Sequence, residues 1–314
     1  MDRITGAIEA VKNQLPAIEC RLNELMKKHT SIKVGAATRA MFLPKSSQEL
    51  LDLCKLLQSF EIAPLIIGNG TNLLVDDSIP LEMIVVKTTG IDGVRLTGEC
   101  EITAEAGILL SKLAEYAHSY GLSGLEFAHG IPGTLGGGVL MNAGAYGGEM
   151  KDIIYSTTAL RSVAALDSSK MTAEVYTLIG DEHGFAYRNS VFSGINDIIL
   201  SSVIRLEKSD KDSIREKMDE LKARRRESQP LDLPSAGSTF KRPKEGYAAA
   251  LIEQAGLKGF AIGGAQVSGK HSGFIVNNGD ATFADIMALI AHVKETVYKQ
   301  FNVELETEYK IIRA

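Results

Sequence analysis

The strongest constraint in the sequence is a glycine-dense stretch at residues 130–149, which reads GIPGTLGGGVLMNAGAYGGE. It holds eight glycines in twenty residues and one charged side chain. Glycine at this density disfavours a helix, and the shortage of polar residues is unlike a flexible linker. Such a loop is normally buried against a flat or anionic group, so it predicts contact with a cofactor. The alternative is a glycine-rich turn packed into the core.

A second glycine turn, GNGTN at 68–72, directly follows the apolar run APLII. Its two glycines let the backbone turn sharply and approach a ligand, and successive free N–H groups can form a nest for phosphate oxygens. A tight turn between strands is the alternative. Neither stretch shows the strand–GxGxxG–helix pattern, so a Rossmann NAD(P) enzyme without flavin is disfavoured.

Composition bounds the remaining classes. A length of 314 residues favours two domains, and a net charge of −5 disfavours nucleic acid as a partner. The three cysteines, Cys20, Cys54 and Cys100, are odd in number and widely spaced, so we expect a reducing cytoplasm and no disulfide framework. No metal site, signal peptide or membrane span is expected. The oligomeric state is left open, and a monomer is compatible with the sequence.

Apolar periodicity predicts helices and strands that alternate without a regular βα period, which indicates an α+β class with a domain boundary near 207–228. The predicted helices are one or two within 2–28, then 111–120 ending at Gly121, 208–227 capped near Ser209, 246–255, and 282–299 capped by Thr282 with Asp285. A further helix is expected after Ser46 or Ser47. The predicted strands are 63–68, 83–88, 100–107, 154–163, 173–178, 197–206, 261–265, 273–277 and 303–312.

Several other stretches carry candidate chemistry but are indecisive alone: YRNS at 187–190, GSTFKRP at 237–243, GAQVSGKHSGF at 264–274, and the alternating glutamates of 303–311. An arginine beside a tyrosine is usually a surface residue. No GxSxG elbow surrounds Ser238, which disfavours serine-hydrolase chemistry. Strand alternation places Glu304, Glu306 and Glu308 on one face, which is usually a solvated face.

Taken together and in this order, the stretches resemble the UDP-N-acetylenolpyruvoylglucosamine reductase family, also called UDP-N-acetylmuramate dehydrogenase. The motifs that carry the resemblance are GNGTNLLV, GIPGTLGG with MNAGAYGGE, YRNSVF, PSAGSTFKRP, GGAQVSGKHSGFIVN and LETEYKII, which span roughly residues 29 to 312. The chain is similar to the shorter branch of the family, because no inserted tyrosine loop is visible within 189–230.

The resemblance implies an FAD-binding fold of the vanillyl-alcohol-oxidase or p-cresol-methylhydroxylase type, with two α+β subdomains and a C-terminal α+β substrate domain. On this basis we expect an FAD-binding domain over 1–215, split into subdomains near 68–90, and a substrate-binding domain over 216–314. The implied FAD contacts are Gly68, Asn69, Gly70, Thr71, Asn72, Ile131, Pro132, Gly133, Thr134, Gly137, Asn142, Ala143, Gly144 and Ala145. His129, just before GIPG, leaves covalent attachment of FAD as an alternative.

Motif by motif, the resemblance also implies a catalytic trio of Arg188, Ser238 and Glu308, with Glu306 as a competitor for Glu308. The implied substrate contacts are Tyr187, Arg242, Lys258, Lys270 and Asn277. NADPH would reduce FAD, which would then reduce an enolpyruvyl UDP-sugar in cytoplasmic peptidoglycan precursor synthesis. The alternatives are another FAD oxidoreductase of the same fold acting on an alcohol or sugar acid, and a non-catalytic UDP-sugar binder.

Overall fold

The computed structural model describes residues 2–161, 174–194 and 197–313. The chain forms two compact units. The first comprises Met1–Leu22, Arg39–Asn69 and Met83–Ala223, and the second comprises Asn23–Thr38, Gly70–Glu82 and Arg224–Ala314. The sequence predicts a linear division at 215/216. The second unit instead joins the C-terminal residues to two short segments from the first third of the chain.

The elements are numbered in chain order. The helices are α1 (Arg3–Gln14), α2 (Ser47–Ser59), α3 (Leu110–Ser119), α4 (Leu135–Leu140), α5 (Lys211–Ser228), α6 (Ala248–Gln254) and α7 (Phe283–Phe301). The strands are β1 (Glu19–Leu25), β2 (Ala37–Leu43), β3 (Leu65–Ile67), β4 (Leu73–Val75), β5 (Leu81–Lys87), β6 (Val94–Gly98), β7 (Glu101–Glu105), β8 (Leu122–Ser123), β9 (Gly144–Ala145), β10 (Gly148–Glu149), β11 (Ile154–Leu160), β12 (Val175–Ile179), β13 (Ile198–Arg205), β14 (Glu207–Lys208), β15 (Ala261–Ile262), β16 (Ala265–Val267), β17 (Ile275–Asn277) and β18 (Lys310–Ile312).

A four-stranded sheet in the order β1-β2-β5-β3 lies mostly in the first unit, and β3 pairs with β5 in parallel. Helix α2 begins as predicted, because Ser46 Oγ accepts from the N–H of Glu49 at 3.1 Å. It buries Leu50, Leu53 and Leu57 in a core shared with α1. The helical prediction for 2–28 is wrong beyond residue 14. Pro16 cannot continue a helix, and residues 19–25 form β1 beside β2.

The first unit also contains an antiparallel five-stranded sheet in the order β12-β11-β13-β7-β6. Its apolar face packs with α3, α4 and α5 around one buried core. The strands expected at 154–163, 173–178 and 197–206 are present as β11, β12 and β13, although residues 162, 163 and 173 lie outside the described residues. Gly121 follows α3 with φ +67°, as its predicted position requires. The cap expected for α5 near Ser209 is instead Asp210, which accepts from the N–H of Ser213 at 2.9 Å.

The glycine-dense stretch contains a short helix, α4, although its glycine content disfavours a helix. Tertiary packing explains the difference. A Cβ at Gly136 would lie 3.0 Å from Ala106 Cβ, and one at Gly138 would lie 3.3 Å from Leu110 Cδ1. Leu135 and Val139 of the same helix are fully buried. Glycine is therefore needed for close packing, and the burial of its neighbours outweighs its low helix propensity.

The second unit has a three-stranded antiparallel sheet, β15-β16-β17, and a parallel pair, β4 with β18. Helices α6 and α7 pack with these strands in the core of the unit. The predicted cap of α7 is confirmed as a reciprocal capping box between Thr282 and Asp285. The single strand expected at 261–265 is a hairpin, since Gly263 turns the chain with φ +53°.

The C-terminal strand expected over 303–312 is shorter than predicted. Only Lys310–Ile312 forms a ladder, because β4 offers three partner residues. Residues 306–308 instead make isolated hydrogen bonds to residues 239–241. The predicted alternation of buried and exposed side chains is present in part, since Leu305 and Tyr309 are buried and Glu306 is exposed. Across the described residues, no helix is both long enough and apolar enough to cross a membrane.

Candidate active site

Two of the predicted cofactor stretches meet within the first unit. The side-chain amide of Asn69 donates to the carbonyl oxygen of Pro132 at 2.7 Å. A Cβ at Gly68 would lie 2.2 Å from Thr134 Oγ1, so only glycine fits there. The turn that ends β3 is therefore fastened to the GIPG segment.

The GIPG segment is itself anchored to the connection between β7 and α3. The N–H of Leu110 donates to Gly133 O at 3.0 Å, and the N–H of Leu135 donates to Ile108 O at 2.9 Å. Ile131 packs against the core of the first unit. These contacts hold in place the backbone of the segment formed by Ile131, Pro132, Gly133 and Thr134.

The later part of the glycine-dense stretch is bound to the YRNS turn. Asn142, which is buried, donates from Nδ2 to Ala186 O at 3.0 Å and accepts the N–H of Lys151 at 2.9 Å. Ser190 Oγ donates to Leu140 O at 2.8 Å. These contacts bring Asn142, Ala143, Gly144 and Ala145 together with Tyr187 and Arg188 in the first unit.

Arg188 occupies a strained backbone position in this turn. Ala186 and Asn189 exchange both main-chain hydrogen bonds, and Arg188 has φ +52° at the third position of the turn, as in a type II turn. Glycine or asparagine normally fills that position. Arg188 Nη2 donates to Gly144 O at 3.3 Å, and the guanidinium lies 5.1 Å from the centroid of the Tyr187 ring. Strain of this kind at a charged residue is typical of functional sites.

The remaining predicted phosphate-turn residues, Gly70, Thr71 and Asn72, belong to the second unit. Gly70 has φ +65°, and a Cβ there would lie 1.9 Å from His29 O, so no other residue fits. Asn72 donates from Nδ2 to Glu308 O at 3.1 Å, and its own carbonyl accepts from the N–H of Lys310. The turn is thereby held beside the C-terminal segment.

Ser238 and Glu308 occupy neighbouring positions in the second unit. The N–H of Glu308 donates to Thr239 O at 2.8 Å, and Phe240 and Thr307 form an antiparallel bridge. Thr239 is fully buried and its hydroxyl lies 3.0 Å from Tyr309 Oη, where burial raises the pKa of the tyrosine. Ser238 and Glu308, which flank this buried pair, are half-buried. Glu308 therefore pairs through its backbone with Thr239, the residue that follows Ser238.

Glu306, the alternative to Glu308 as the catalytic glutamate, forms an ion pair with a lysine. Its carboxylate is exposed and pairs with Lys241 Nζ at 3.0 Å, and that bond lowers the pKa of Glu306. The N–H of Lys241 also donates to Glu306 O. The two glutamates therefore differ in their surroundings, because Glu306 is exposed and ion-paired and Glu308 is half-buried. From the sequence, only the resemblance distinguished them.

The predicted substrate-binding residues of the second unit differ in their surroundings. Arg242 is exposed, with its guanidinium 4.2 Å from the centroid of the Tyr247 ring. Lys258 Nζ donates to Glu253 at 2.8 Å, and Lys270 Nζ donates to Arg226 O at 2.6 Å. Asn277 is buried, donating to Ile32 O and accepting from Gly279 and Ala281. Arg242 and Lys270 are surface cations, whereas the buried Asn277 amide hydrogen-bonds both to its own loop and to the distant Ile32.

Two buried polar atoms without a hydrogen-bond partner adjoin the predicted cofactor stretches, and only one of them, in His129, belongs to a residue that the sequence analysis singled out. Among the described residues, Ser31 Oγ and His129 Nδ1 are buried without a hydrogen-bond partner. Ser31 is bonded through its N–H to Gly70 O, and His129 immediately precedes GIPG. Buried polar atoms are normally satisfied, so unpaired atoms beside glycine turns fit a polar, phosphate-bearing group such as FAD.

The second nitrogen of His129 has a partner in the first unit. Its Nε2 lies 3.0 Å from Glu115 Oε1, and Arg215 donates to both oxygens of the same carboxylate at 3.0 and 2.6 Å. This bidentate bond from Arg215 is the main reason that the pKa of Glu115 falls to about 2. The residue that leads into the GIPG segment is thus held by an ion-pair network.

Comparison with known proteins agrees with this geometry. Residues 38–175 match the family described as "FAD binding domain", and residues 229–312 match "UDP-N-acetylenolpyruvoylglucosamine reductase, C-terminal domain". The chain is 46% identical over 305 residues to the UDP-N-acetylenolpyruvoylglucosamine reductase of Caldanaerobacter subterraneus, covering 97% of each protein. The Alkaliphilus oremlandii protein of the same name is 44% identical, with 99% of each covered.

A solved structure is similar over nearly its whole length. The crystal structure of UDP-N-acetylenolpyruvylglucosamine reductase from Thermus caldophilus superposes with a TM-score of 0.76 at 31% identity, covering 94% of this chain and 98% of that one. The expected α+β FAD-binding fold and the FAD cofactor are therefore confirmed, and the chain is an FAD-dependent oxidoreductase. This chain belongs to the UDP-N-acetylenolpyruvoylglucosamine reductase family.

Proposed function

We propose that this protein reduces the enolpyruvyl group of UDP-N-acetylglucosamine enolpyruvate to give UDP-N-acetylmuramate, with NADPH as the electron donor, in peptidoglycan precursor synthesis. The observation that supports the proposal is the bond between the Glu308 N–H and Thr239 O, because it pairs the segment that carries Glu308 with the segment that carries Ser238. A positioned hydroxyl beside a carboxylate suits proton transfer to carbon. The free thiols of Cys20, Cys54 and Cys100 support a cytoplasmic location.

The residues that would hold FAD lie in the two glycine turns. Gly68–Asn72 would receive the diphosphate, and residues 131–134, 137 and 142–145 would line the rest of the cofactor. Bound FAD, once reduced by NADPH, supplies the hydride that the vinyl group of the substrate accepts. The protein contributes position and electrostatics through the turn at 68–72, whose close packing on Thr134 and His29 only glycine allows at positions 68 and 70.

Arg188 would stabilise the negative charge that develops on the substrate. Addition of a hydride to the terminal vinyl carbon spreads charge into the carboxylate as an enolate-like species. A guanidinium is always charged and binds a carboxylate in a bidentate way, so it suits this role. The strained turn and the bond to Gly144 O fix the side chain before substrate arrives.

Ser238 would then donate the proton that the carbon bearing the carboxylate requires. A serine is a weak acid, so it needs a neighbouring group to stabilise its alkoxide. Lys241, Arg242 and Lys270 are the cations of the second unit that we consider for this role. Glu308 would act beside Ser238 by polarising the site and holding the enol form.

The surface cations Arg242 and Lys270, together with Lys258, would bind the diphosphate of the UDP-sugar. Phosphate oxygens form strong, charge-assisted hydrogen bonds with such groups. Tyr187, which is half exposed at the strained turn, is a further residue that we propose to contact the substrate. The proposed partner is thus a small anionic UDP-sugar.

The direct test is a stopped-flow record of flavin absorbance with the purified protein. NADPH is expected to bleach the flavin, and UDP-N-acetylglucosamine enolpyruvate is expected to restore its colour stoichiometrically. A simple alcohol and a sugar acid serve as competing substrates, offered to the oxidised flavin. Bleaching by the alcohol or the sugar acid, together with no reoxidation by the enolpyruvyl sugar, would instead favour an oxidase of the same fold.

A further inference from the structure

Ser31 carries a buried hydroxyl that the protein leaves unsatisfied. Its Oγ has no hydrogen-bond partner among the described residues. The adjacent hydroxyl of Thr30, also buried, donates to Val34 O at 2.8 Å. Nearly all buried side-chain polar atoms have a partner, and an unpaired one is costly. The contrast between neighbouring residues indicates that the Ser31 hydroxyl serves a group other than its own chain.

The segment around Ser31 is packed directly against the predicted phosphate turn. The N–H of Ser31 donates to Gly70 O at 3.1 Å. His29 O lies so close to Gly70 that a Cβ there would approach to 1.9 Å. Both segments belong to the second unit, so this adjacency is a property of one compact body. A ligand held by the backbone of Gly70, Thr71 and Asn72 would therefore lie beside Ser31.

We propose that Ser31 binds FAD by donating a hydrogen bond from Oγ to an oxygen of the cofactor diphosphate. The inference rests on the proposed placement of the diphosphate at Gly68–Asn72. A hydroxyl that donates to an ionised phosphate oxygen forms one of the stronger hydrogen bonds in proteins. Ser31 lies outside the glycine motifs, and the cofactor supplies the partner that its own chain does not.

Substitution of Ser31 is expected to weaken FAD binding without lowering the stability of the flavin-free protein. In Ser31→Ala the stripped protein loses a hydroxyl that has no partner, so its melting temperature is expected to stay equal or rise. FAD loses a contact, so the dissociation constant is expected to increase about ten-fold or more. Thr30→Val is the matched control: it removes a satisfied hydroxyl, so it is expected to lower the melting temperature of the stripped protein.

The experiment uses the full chain, purified with its flavin and then stripped of it, and titrates FAD while recording flavin fluorescence. An unchanged FAD dissociation constant in Ser31→Ala would overturn the proposal. So would a loss of apo-protein stability as large as that of Thr30→Val, because it would show a structural role. Weaker FAD binding with undiminished apo stability supports it.

Thr71→Val distinguishes this inference from the placement on which it rests. If Thr71→Val weakens FAD binding and Ser31→Ala does not, the diphosphate is at the turn and the Ser31 inference is wrong. If neither variant changes the dissociation constant, neither hydroxyl binds the diphosphate and the Ser31 inference is wrong, whereas the placement at the turn is judged by the FAD affinity of Gly70→Ala. If both weaken binding, the two statements stand together.

Discussion

The main-chain N–H of Glu308 donates a hydrogen bond of 2.8 Å to the carbonyl oxygen of Thr239. These residues are 69 positions apart in the sequence, so the bond joins the serine motif to the C-terminal segment. The adjacent buried contact between Thr239 Oγ1 and Tyr309 Oη, at 3.0 Å, fixes the same pair of segments from the interior. The proposed proton chemistry depends on this pairing.

The two glutamates of the C-terminal segment are expected to respond differently to substitution. Glu308→Gln should slow reoxidation of the reduced flavin by the enolpyruvyl sugar by about 10²-fold or more, because the proposed role of Glu308 in the proton chemistry needs its carboxylate. Glu306→Gln should leave that rate unchanged within about two-fold, since an exposed ion pair contributes little. Single-turnover kinetics measures both. Equal losses in the two variants would contradict the assignment of Glu308.

Replacing Arg188 with glycine should preserve or raise the stability of the protein and slow its reaction with substrate. In Arg188→Gly the left-handed conformation is no longer strained, so the free energy of unfolding should stay equal or rise by up to about 1 kcal/mol. Reoxidation by substrate should fall by about 10²–10³-fold, because the fixed cation is lost. Glu61→Gly is the control: its φ is +53° at an exposed site, so it should relieve strain without affecting reoxidation. A strongly destabilised Arg188→Gly would show that the arginine is structural.

Gly70 should not tolerate a side chain. Gly70→Ala combines φ +65° with a contact of 1.9 Å to His29 O, so we expect a loss of more than about 2 kcal/mol in unfolding free energy. FAD binding should weaken as well. Gly269→Ala, where a Cβ meets nothing within 4 Å, is the matched control and should be neutral. Chemical denaturation and flavin titration measure the two effects, and a neutral Gly70→Ala would contradict the described turn.

Glu115 should contribute stability that acid removes. Its folded-state pKa of about 2 lies below the ordinary value of 4.5, chiefly because Arg215 donates to its carboxylate. A depressed carboxyl pKa stabilises the fold above the unfolded-state value, and that stabilisation is lost as the pH falls from about 4.5 to about 2. The difference in unfolding free energy between the wild type and Glu115→Gln should therefore be largest at neutral pH and shrink across this window.

A second carboxylate provides the comparison for this pH dependence. Glu295 is exposed and pairs with Lys299, so Glu295→Gln should show a smaller difference throughout. Denaturation curves measured from neutral pH downward give both differences. A Glu115 difference that does not vary with pH would show that the ion pair with Arg215 contributes nothing.

The sequence predicted what depends on local chemistry. The cap at Ser46, the glycine after α3 and the capping box of α7 follow from side-chain hydrogen bonding within a few residues, and all are confirmed. It missed what depends on distant partners. Residues 19–25 read as helical because the periodicity contains no information about β2. The helix α4 was excluded because propensity ignores the close packing of Gly136 on Ala106.

The candidate site shows the same division. The resemblance supplied Arg188, Ser238 and Glu308 as motif positions, but their surroundings required the fold. The ion pair between Glu306 and Lys241 joins residues 65 positions apart, so it could not be predicted from local sequence. The unpaired hydroxyl of Ser31 could not be predicted from the sequence, because whether a serine finds a hydrogen-bond partner depends on the fold around it.

If Ser238 donates the proton to the reduced substrate, the two half-reactions of Ser238→Ala should differ when they are recorded in stopped flow. NADPH is expected to reduce the flavin at nearly the wild-type rate, while reoxidation by UDP-N-acetylglucosamine enolpyruvate is expected to fall by about 10²–10⁴-fold. Reoxidation at the wild-type rate, or an equal loss in both half-reactions, would contradict this role of Ser238.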